Sequence, residues 1–414
     1  MTSRAPVPSS LKSDFFWNTA WSIMVAASTV IMLLAVTRSA GLAAGGVFSI
    51  ALAIGQQFQT LGMYEVRTYH VTDVEGRFSF GDYLSARFLT VGAMAIGILV
   101  LSVTRGASPA DCAALALIAS LKLFDAFEDV FYSELQRSGH LALAGRAGFI
   151  RSFVTTACFT ALIFASEDLL ISALVCFIVS LATMLLVFIP PSRRVFRLRP
   201  RWSAPSIRSL MLACLPLFLA SFIAMYLANA PRFAIDHFLD HDQQGYFAII
   251  FMPAFAINLA STIVFRPLLT GMASIWLRRD LAAFRAVIGK GLAATAGAFL
   301  LVALVTDLFG APILGFVFNK DVSAFRWELL ILVLGGAMNS ASVILYYALT
   351  TMRLQRLVFV GYLVSAAVVS AALLPLVPSM GLLGAAIGYA LAMTVLALFF
   401  LTTLLIGVKK APRS

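Results

Sequence analysis

DCAALALIASLKLFDAFEDVFYSELQ, residues Asp111–Gln136, is long enough to cross a bilayer and yet holds Lys122, Asp125, Glu128 and Asp129. At ~1.5 Å rise per residue, Lys122 lies roughly 16 Å below Asp111, near the middle of a hydrocarbon core ~30 Å thick. At ~100° per residue, Lys122, Asp125 and Asp129 fall within an arc of about 60°, with Glu128 some 100° from Asp129. An unpaired charge at that depth costs about 2.5–3.5 kcal/mol even on the gentlest scale, so this face turns toward other helices or toward water. Two readings stay open. Either Lys122 and Asp125, an i,i+3 pair, lock two helices together, or the four charges, more than one structural pair needs, line a polar cavity walled by the other spans.

The rest of the chain supplies those spans. Of its 414 residues 61% are hydrophobic and 12% charged, against about 45–50% and 25% in soluble domains, which makes this an all-α, polytopic membrane protein. Cys112, Cys158, Cys176 and Cys214 stand in or beside apolar runs without CxxC spacing, so they read as small apolar residues rather than as disulfides or zinc ligands. The net charge of +11 is dispersed over short inter-span segments, which points to anionic lipid headgroups and away from nucleic acid.

After a polar tail over residues 1–12, apolar runs near ~20 residues recur at Phe15–Thr37, Gly46–Met63, Tyr83–Val103, Asp111–Leu135, Leu143–Ala165 and Leu169–Phe188. The first exceeds a signal peptide's core and reads as a retained helix. Six more follow at Leu210–Leu227, Tyr246–Pro267, Val287–Leu308, Trp327–Leu349, Leu357–Leu376 and Leu382–Val408, making twelve. Phe309–Phe318, short and carrying Gly310, Pro312 and Gly315, is expected to be interfacial or re-entrant. With the N-terminus in the cytoplasm, 24 Lys and Arg fall on the cytoplasmic side and 5 on the other: Arg38, Arg105, Arg232, Lys320 and Arg326. Lys122 remains in mid-span. That asymmetry supports the count and puts both termini in the cytoplasm.

The basic segment Pro190–Arg208 divides the spans six and six, giving expected units 1–208 and 209–414. Arg38 follows the first span and Arg232 the seventh; Gly46-Val47-Phe48 and Gly245-Tyr246-Phe247 open the second and eighth, each with an arginine, Arg67 or Arg266, 21 residues after its glycine. Two like-oriented, pseudo-symmetric six-helix lobes are expected, with a cavity between them.

No GxxxxGK[ST] loop for ATP is present, and His237 and His241, though spaced i,i+4, lack the Glu of an HExxH motif. No nucleophile–base arrangement stands out, so no enzyme, metal site or cofactor is expected. A second informative stretch is residues 46–88. Gln56, Gln57 and Gln59 sit within an apolar span, where amides need partners from helices, water or ligand. Arg67 and Arg87 are either positive-inside anchors or bidentate phosphate ligands at a cytoplasmic mouth.

Gly46-Val47-Phe48-Ser49-Ile50-Ala51-Leu52-Ala53, Arg67-Thr68-Tyr69, Thr72-Asp73-Val74-Glu75-Gly76, Phe80-Gly81-Asp82-Tyr83-Leu84 and Asp129-Val130-Phe131-Tyr132 resemble the bacterial polysaccharide flippases. These are the Wzx-type branch of the multidrug/oligosaccharidyl-lipid/polysaccharide exporter superfamily. Asn229-Ala230-Pro231-Arg232 and Gly381-Leu382-Leu383-Gly384-Ala385-Ala386 are similar to the same family. The resemblance implies two helical lobes, alternating access, and movement of a polyprenyl-diphosphate-linked oligosaccharide from the cytoplasmic to the outer leaflet of the bacterial inner membrane, for surface polysaccharide or lipopolysaccharide biosynthesis. Membrane lipids and a glycan polymerase are the implied partners.

Relatives place cations in the first and seventh helices; here the first span offers only Asn18 and the seventh only Asn229, leaving Lys122 as the sole deep cation, with Arg67, Arg151 and Arg266 nearer the cytoplasmic mouth. The expected cavity residues are therefore Lys122, Asp125, Glu128, Asp129, Gln56, Gln57, Gln59, Arg67, Arg87, Arg151, Arg266 and Asn229. The carboxylates are left to hold a coupling proton or sodium ion, or to release phosphate by charge competition. A cation-coupled multidrug exporter, using Asp125, Glu128 and Asp129 on its substrate, and a membrane glycan polymerase are the alternatives.

Overall fold

The computed structural model describes residues 10–73, 76–104, 108–265 and 268–410, with the side chains at 259–265, 268–270, 273 and 410 left aside. The tail residues 1–9, Val74-Glu75, Arg105, Arg266 and Pro267, all invoked above, lie outside that set. Helices account for nearly all of the described chain, and no strand occurs among the described residues. All twelve expected spans are helical where described: an all-α membrane protein.

Contacts divide the chain into two units, residues 1–222 and 223–414, the boundary falling inside one long helix. In the first unit the helices are α1 (Leu11–Ser39), α2 (Leu42–Met63), α3 (Val66–Thr72), α4 (Phe80–Thr104), α5 (Pro109–Arg137), α6 (Leu141–Ser166), α7 (Leu169–Thr183) and α8 (Ile189–Val195). The boundary helix is α9 (Ala204–Phe238). The second unit continues with α10 (His241–Ile250), α11 (Met252–Phe265), α12 (Leu268–Leu277), α13 (Leu281–Val305), α14 (Ala311–Phe318), α15 (Arg326–Thr351), α16 (Gln355–Met380) and α17 (Leu382–Lys410).

Nine helical segments among the described residues are long and apolar enough to cross a membrane. The expected spans that fall short do so for readable reasons. Gln56, Gln57 and Gln59 dilute α2, the four mid-span charges dilute α5, and the eighth span breaks at Phe251 between α10 and α11, where Pro253 cannot sit inside a continuing helix. Gly46 and Gly245 each stand four residues into their helices, α2 and α10. Arg232, however, is not a loop residue: α9 runs on past it to Phe238, with His237 in its last turn.

Phe309–Phe318 also differs from expectation. Instead of forming a re-entrant piece, it prolongs the ninth span. A π-helical turn, Thr306–Gly310, joins α13 to α14, and Pro312 follows it at the first turn of α14. The same device joins α7 to α8 through Met184–Phe188, just before Pro190 and Pro191. A proline ring clashes with the carbonyl four residues back, and widening the turn relieves that clash without ending the helix. Pro190–Arg208 is correspondingly helical at both ends. Between them the Arg201 backbone N–H donates to the Gly81 carbonyl at 3.0 Å and Phe196 packs on Phe80 at 4.5 Å, pinning the connection to the start of α4.

Each unit is built around one helix. α5 packs against α2, α3, α4, α6 and α7; α15 packs against α11, α12, α13, α16 and α17. They are the fourth and tenth spans, equivalent positions in the two halves. The start of α5 is fixed by Ser108, whose hydroxyl accepts from the Asp111 N–H at 3.2 Å, with Pro109 in the first turn. α6 is held beside α1 by Asp14, whose carboxylate accepts from the Ala142 N–H at 2.6 Å. Glycine allows the closest approach to α5: a Cβ on Gly55 of α2 would stand 2.8 Å from the Ala119 carbonyl and 3.0 Å from the Lys122 side chain.

Candidate functional site

The charges on α5 do not share one face; they divide between two neighbours. Asp125 and Glu128 turn toward α6, where Arg151 ion-pairs with Asp125 and brings its Nε to 2.7 Å from Glu128 Oε1. The other oxygen of Glu128, Oε2, has no hydrogen-bond partner. Lys122 Nζ meets the other oxygen of Asp125 at 2.8 Å. Asp129, about 100° around the helix from Glu128, turns toward α4 and α3: Arg87 Nη2 donates to it at 2.7 Å and Arg67 Nη1 lies 3.6 Å away. The i,i+3 lock anticipated for Lys122 and Asp125 exists, as one edge of a larger network.

Lys122 is therefore not the sole deep cation. Arg151, expected at a cytoplasmic mouth, contacts the same carboxylate as Lys122 and is almost completely buried. Arg87 is neither a surface anchor nor exposed to an arriving phosphate: it has 0% exposure and spends its fork on Asp129 and on the Gly62 carbonyl, at 2.5 Å. Both stand within the spans marked by the apolar runs, on helix faces that pack inside the unit. Removing them from the cytoplasmic tally leaves its bias intact. Among the described residues, four cations (Lys122, Arg151, Arg87 and Arg67) surround three carboxylates (Asp125, Glu128 and Asp129). The exchange is close to neutral, as burial demands.

Beside Lys122, Asp125 and Arg151 lies a cavity of about 50 Å³, completed by hydroxyls of Ser28, Thr29, Ser152 and Thr155. It has room for one or two waters and no more. Gln57, nearby on α2, donates to the Phe222 carbonyl at 3.1 Å within the same unit, while Gln56 is hydrogen-bonded or in another polar contact and Gln59 is half-buried. Arg67 is about a third exposed, lies over the Tyr132 ring at 3.9 Å and donates to Gln136 at 3.1 Å.

A second polar layer, at the end of α5, was not anticipated. His70 is fully buried in α3; its Nε2 meets Glu134 at 2.7 Å and its ring stacks on Tyr83 at 3.9 Å. Tyr83 donates to Asp73 at 2.8 Å, and Asp73 also accepts from the Arg77 and Phe78 N–H groups at 2.9 and 3.0 Å. Burial works against the Asp73 charge, yet those three donors hold its pKa below the usual carboxylate range.

Among the described residues the second unit has no counterpart of the ion-paired cluster. The notable cation there is Arg232 of α9, half-buried, so the seventh span offers more than Asn229. Arg232 Nη1 donates to Asn229 Oδ1 at 2.8 Å, and its guanidinium lies 4.8 Å from the Phe251 ring centre. No carboxylate among the described residues pairs with it, and its Nε has no partner. From Phe251 the chain of contacts runs to Tyr389 at 5.1 Å, then through Asn258, which donates to the Tyr389 hydroxyl at 3.1 Å, to Asn339 of α15, which donates to Asn258 at 3.0 Å.

A two-unit bundle of this kind is the fold of MOP-superfamily transporters. Three solved structures show the likeness. Lipid II flippase MurJ, in an inward closed conformation, superposes with a TM-score of 0.72 at 13% identity, covering 95% of this chain and 88% of that one. An inward-facing multidrug resistance MATE family transporter gives 0.64 at 14% identity, covering 95% and 96%. A transporter of the superfamily from Pyrococcus furiosus, described by the reverse polarity of its binding pocket, gives 0.58 at 16% identity and 97% of both chains. No family model matches the sequence, and no curated protein matches it. The neighbours are transporters rather than enzymes, and what they share with this chain is the fold.

Proposed function

We propose that this protein is a flippase of the Wzx type, moving a polyprenyl-diphosphate-linked oligosaccharide from the cytoplasmic to the outer leaflet of a bacterial inner membrane by alternating access. The observation that carries this reading is the occupation of every deep carboxylate on α5. Asp125, Glu128 and Asp129 each face a guanidinium, and the cluster holds one more cation than carboxylates. A cationic drug would have to displace three arginines and a lysine from those acids. An anionic headgroup only has to displace acids from the cations, a competition that guanidinium groups favour for phosphate.

In this reading a diphosphate draws Lys122 and Arg151 away from Asp125, and Asp125 later expels it by reclaiming them. The cavity at this point holds waters only, so uptake requires the surrounding helices to part. The lipid tail stays in the bilayer while the sugars cross in a hydrated path, which removes the cost of burying unpaired hydroxyls and phosphates in hydrocarbon. Coupling to a proton or sodium ion is assigned to Glu128, whose Oε2 has no hydrogen-bond partner. Arg67 and Gln57 are assigned to the path's polar lining. Arg266 keeps the same assignment from sequence alone. No cofactor enters the scheme, and both termini are placed in the cytoplasm.

The test is the lipid-linked sugar pool of cells depleted of the protein, assayed for leaflet and length. Single repeat units accumulating on the cytoplasmic leaflet are the expected result. An unchanged pool with increased sensitivity to cationic drugs would replace this reading with the multidrug exporter.

A further inference from the structure

α15 is the central helix of the second unit, and a cavity of about 240 Å³ opens along it between α9, α16 and α17. Its lining combines three phenols, Tyr346, Tyr347 and Tyr362, with Asn339, Ser342 and Met393. Among the described residues, no carboxylate, lysine or arginine lines it. The contrast inside the same unit is informative: a larger cavity of about 510 Å³ along α13 and α14 is almost wholly apolar, lined by residues such as Val302, Val305 and Ile313. An acyl chain suits that one. The tyrosine cavity is too polar for a hydrocarbon tail, and at slightly below the ~300 Å³ where small-molecule sites begin it fits one ring rather than an oligosaccharide.

Part of the donor capacity at its polar end is already spent. Asn339 gives one amide N–H to Asn258, and Ser342 gives its hydroxyl proton to the Met338 carbonyl at 2.9 Å. Ser342 retains acceptor capacity, and Asn339 retains its carbonyl oxygen and one N–H. The phenols supply apolar ring faces and hydroxyls that both donate and accept. A ligand with a C–H face for the rings and several hydroxyl protons for the acceptors satisfies this set, and its hydroxyls avoid the penalty of unpaired burial. The charge joined to Asn339 by the chain through Asn258, Tyr389 and Phe251 is Arg232, a cation, which disfavours an organic cation in the cavity despite its aromatic walls.

We propose that this cavity is a subsite for one uncharged pyranose ring, with Asn339 and Ser342 accepting from its hydroxyls and Tyr346, Tyr347 and Tyr362 packing on its C–H face. For the identity of the glycan this rests on the flippase reading. Asn258 and Tyr389 act as positioning residues that fix the Asn339 amide.

Saturation-transfer NMR on the full chain in lipid nanodiscs, with methyl glucoside, methyl galactoside, methyl mannoside and N-acetylglucosamine as probes and tetramethylammonium as a control, tests the proposal. At least one sugar is expected to receive saturation, with affinity about tenfold lower in Asn339→Leu and Tyr362→Ala, the loss of one or two hydrogen bonds or a ring contact. Tyr362→Phe, which keeps the ring, is expected to lose less. Each variant is checked for an unchanged melting temperature and monodisperse elution. If Tyr362→Ala does not fold, Asn339→Leu and Tyr362→Phe carry the comparison. No transfer to any sugar, equal binding by the folded variants, or Tyr362-dependent transfer to tetramethylammonium would overturn the proposal. Sugar binding with this dependence but no lipid-linked pool on depletion would leave the subsite standing and remove the flippase reading; accumulation without sugar binding would do the reverse.

Discussion

α5 and α15 occupy equivalent places in the two halves and serve each unit as its central helix, yet they solve the problem of polarity in a membrane differently. α5 carries charge and neutralises it with guanidinium groups from α3, α4 and α6. α15 carries charge only in its first turn, at Arg326 and Glu328, and keeps its middle to amides, hydroxyls and phenols. The first arrangement suits a site that exchanges one anion for another. The second suits neutral, hydroxyl-rich chemistry. A headgroup of diphosphate and sugars, the substrate proposed above, would need both kinds of chemistry.

The comparison breaks most severely at Arg151. Arg151→Ala leaves Glu128 without the one cation it meets among the described residues and Asp125 with Lys122, and is expected to destabilise the protein by about 3–5 kcal/mol. Thermal unfolding in detergent reads this directly. Asn339→Ala on the neutral helix is expected to cost no more than about 1 kcal/mol. Similar losses for the two would mean that the ion cluster is not what distinguishes the halves. Arg87→Lys keeps the charge but cannot reach Asp129 and the Gly62 carbonyl together; a loss of about 1.5–3 kcal/mol is expected in the same assay. Gly55→Ala pushes a methyl against the Ala119 carbonyl and the Lys122 side chain, and should cost about 1–3 kcal/mol while altering transport along with stability.

The smallest effect belongs to Asp73, outside the spans. Its folded-state pKa lies below the unfolded value, so its contribution is complete above the ordinary carboxylate range, about pH 4, and is lost as pH falls through the depressed value. Asp73→Asn should flatten the acid limb of a melting-temperature profile and leave the neutral plateau nearly unchanged in slope. A profile identical to that of the unaltered protein would show that the cap formed by Arg77, Phe78 and Tyr83 contributes nothing.

Much of the fold was legible because apolar runs and dispersed basic residues are one-dimensional signals. Helix length was less so: Arg232 sits beyond the edge of its apolar run, and only the reach of α9 takes it inside, while Arg87 and Arg151 lie within their runs and are buried by the packing of the helix faces that carry them. On α5 the 100° between adjacent residues separates Glu128 from Asp129, but sequence alone does not say which neighbour brings an arginine to each. His70 and Glu134, 64 residues apart, carried no local pattern at all. Pro190 and Pro312 were visible as breakers, though whether a proline ends a span or widens one turn depends on packing at that turn.

The central claim, that the Lys122–Asp125–Arg151 cluster handles the diphosphate rather than merely joining helices, meets its most direct test in Lys122→Ala/Asp125→Ala. Removing one charge of each sign leaves Arg151 with Glu128 and keeps the cluster's balance. Cells depleted of the native protein are complemented with this double variant, its insertion is checked, and the leaflet of the lipid-linked sugar is measured. The account predicts a normally inserted protein with the sugar pool still facing the cytoplasm. A pool cleared as well as by the native protein would contradict it and reduce the cluster to a helix lock.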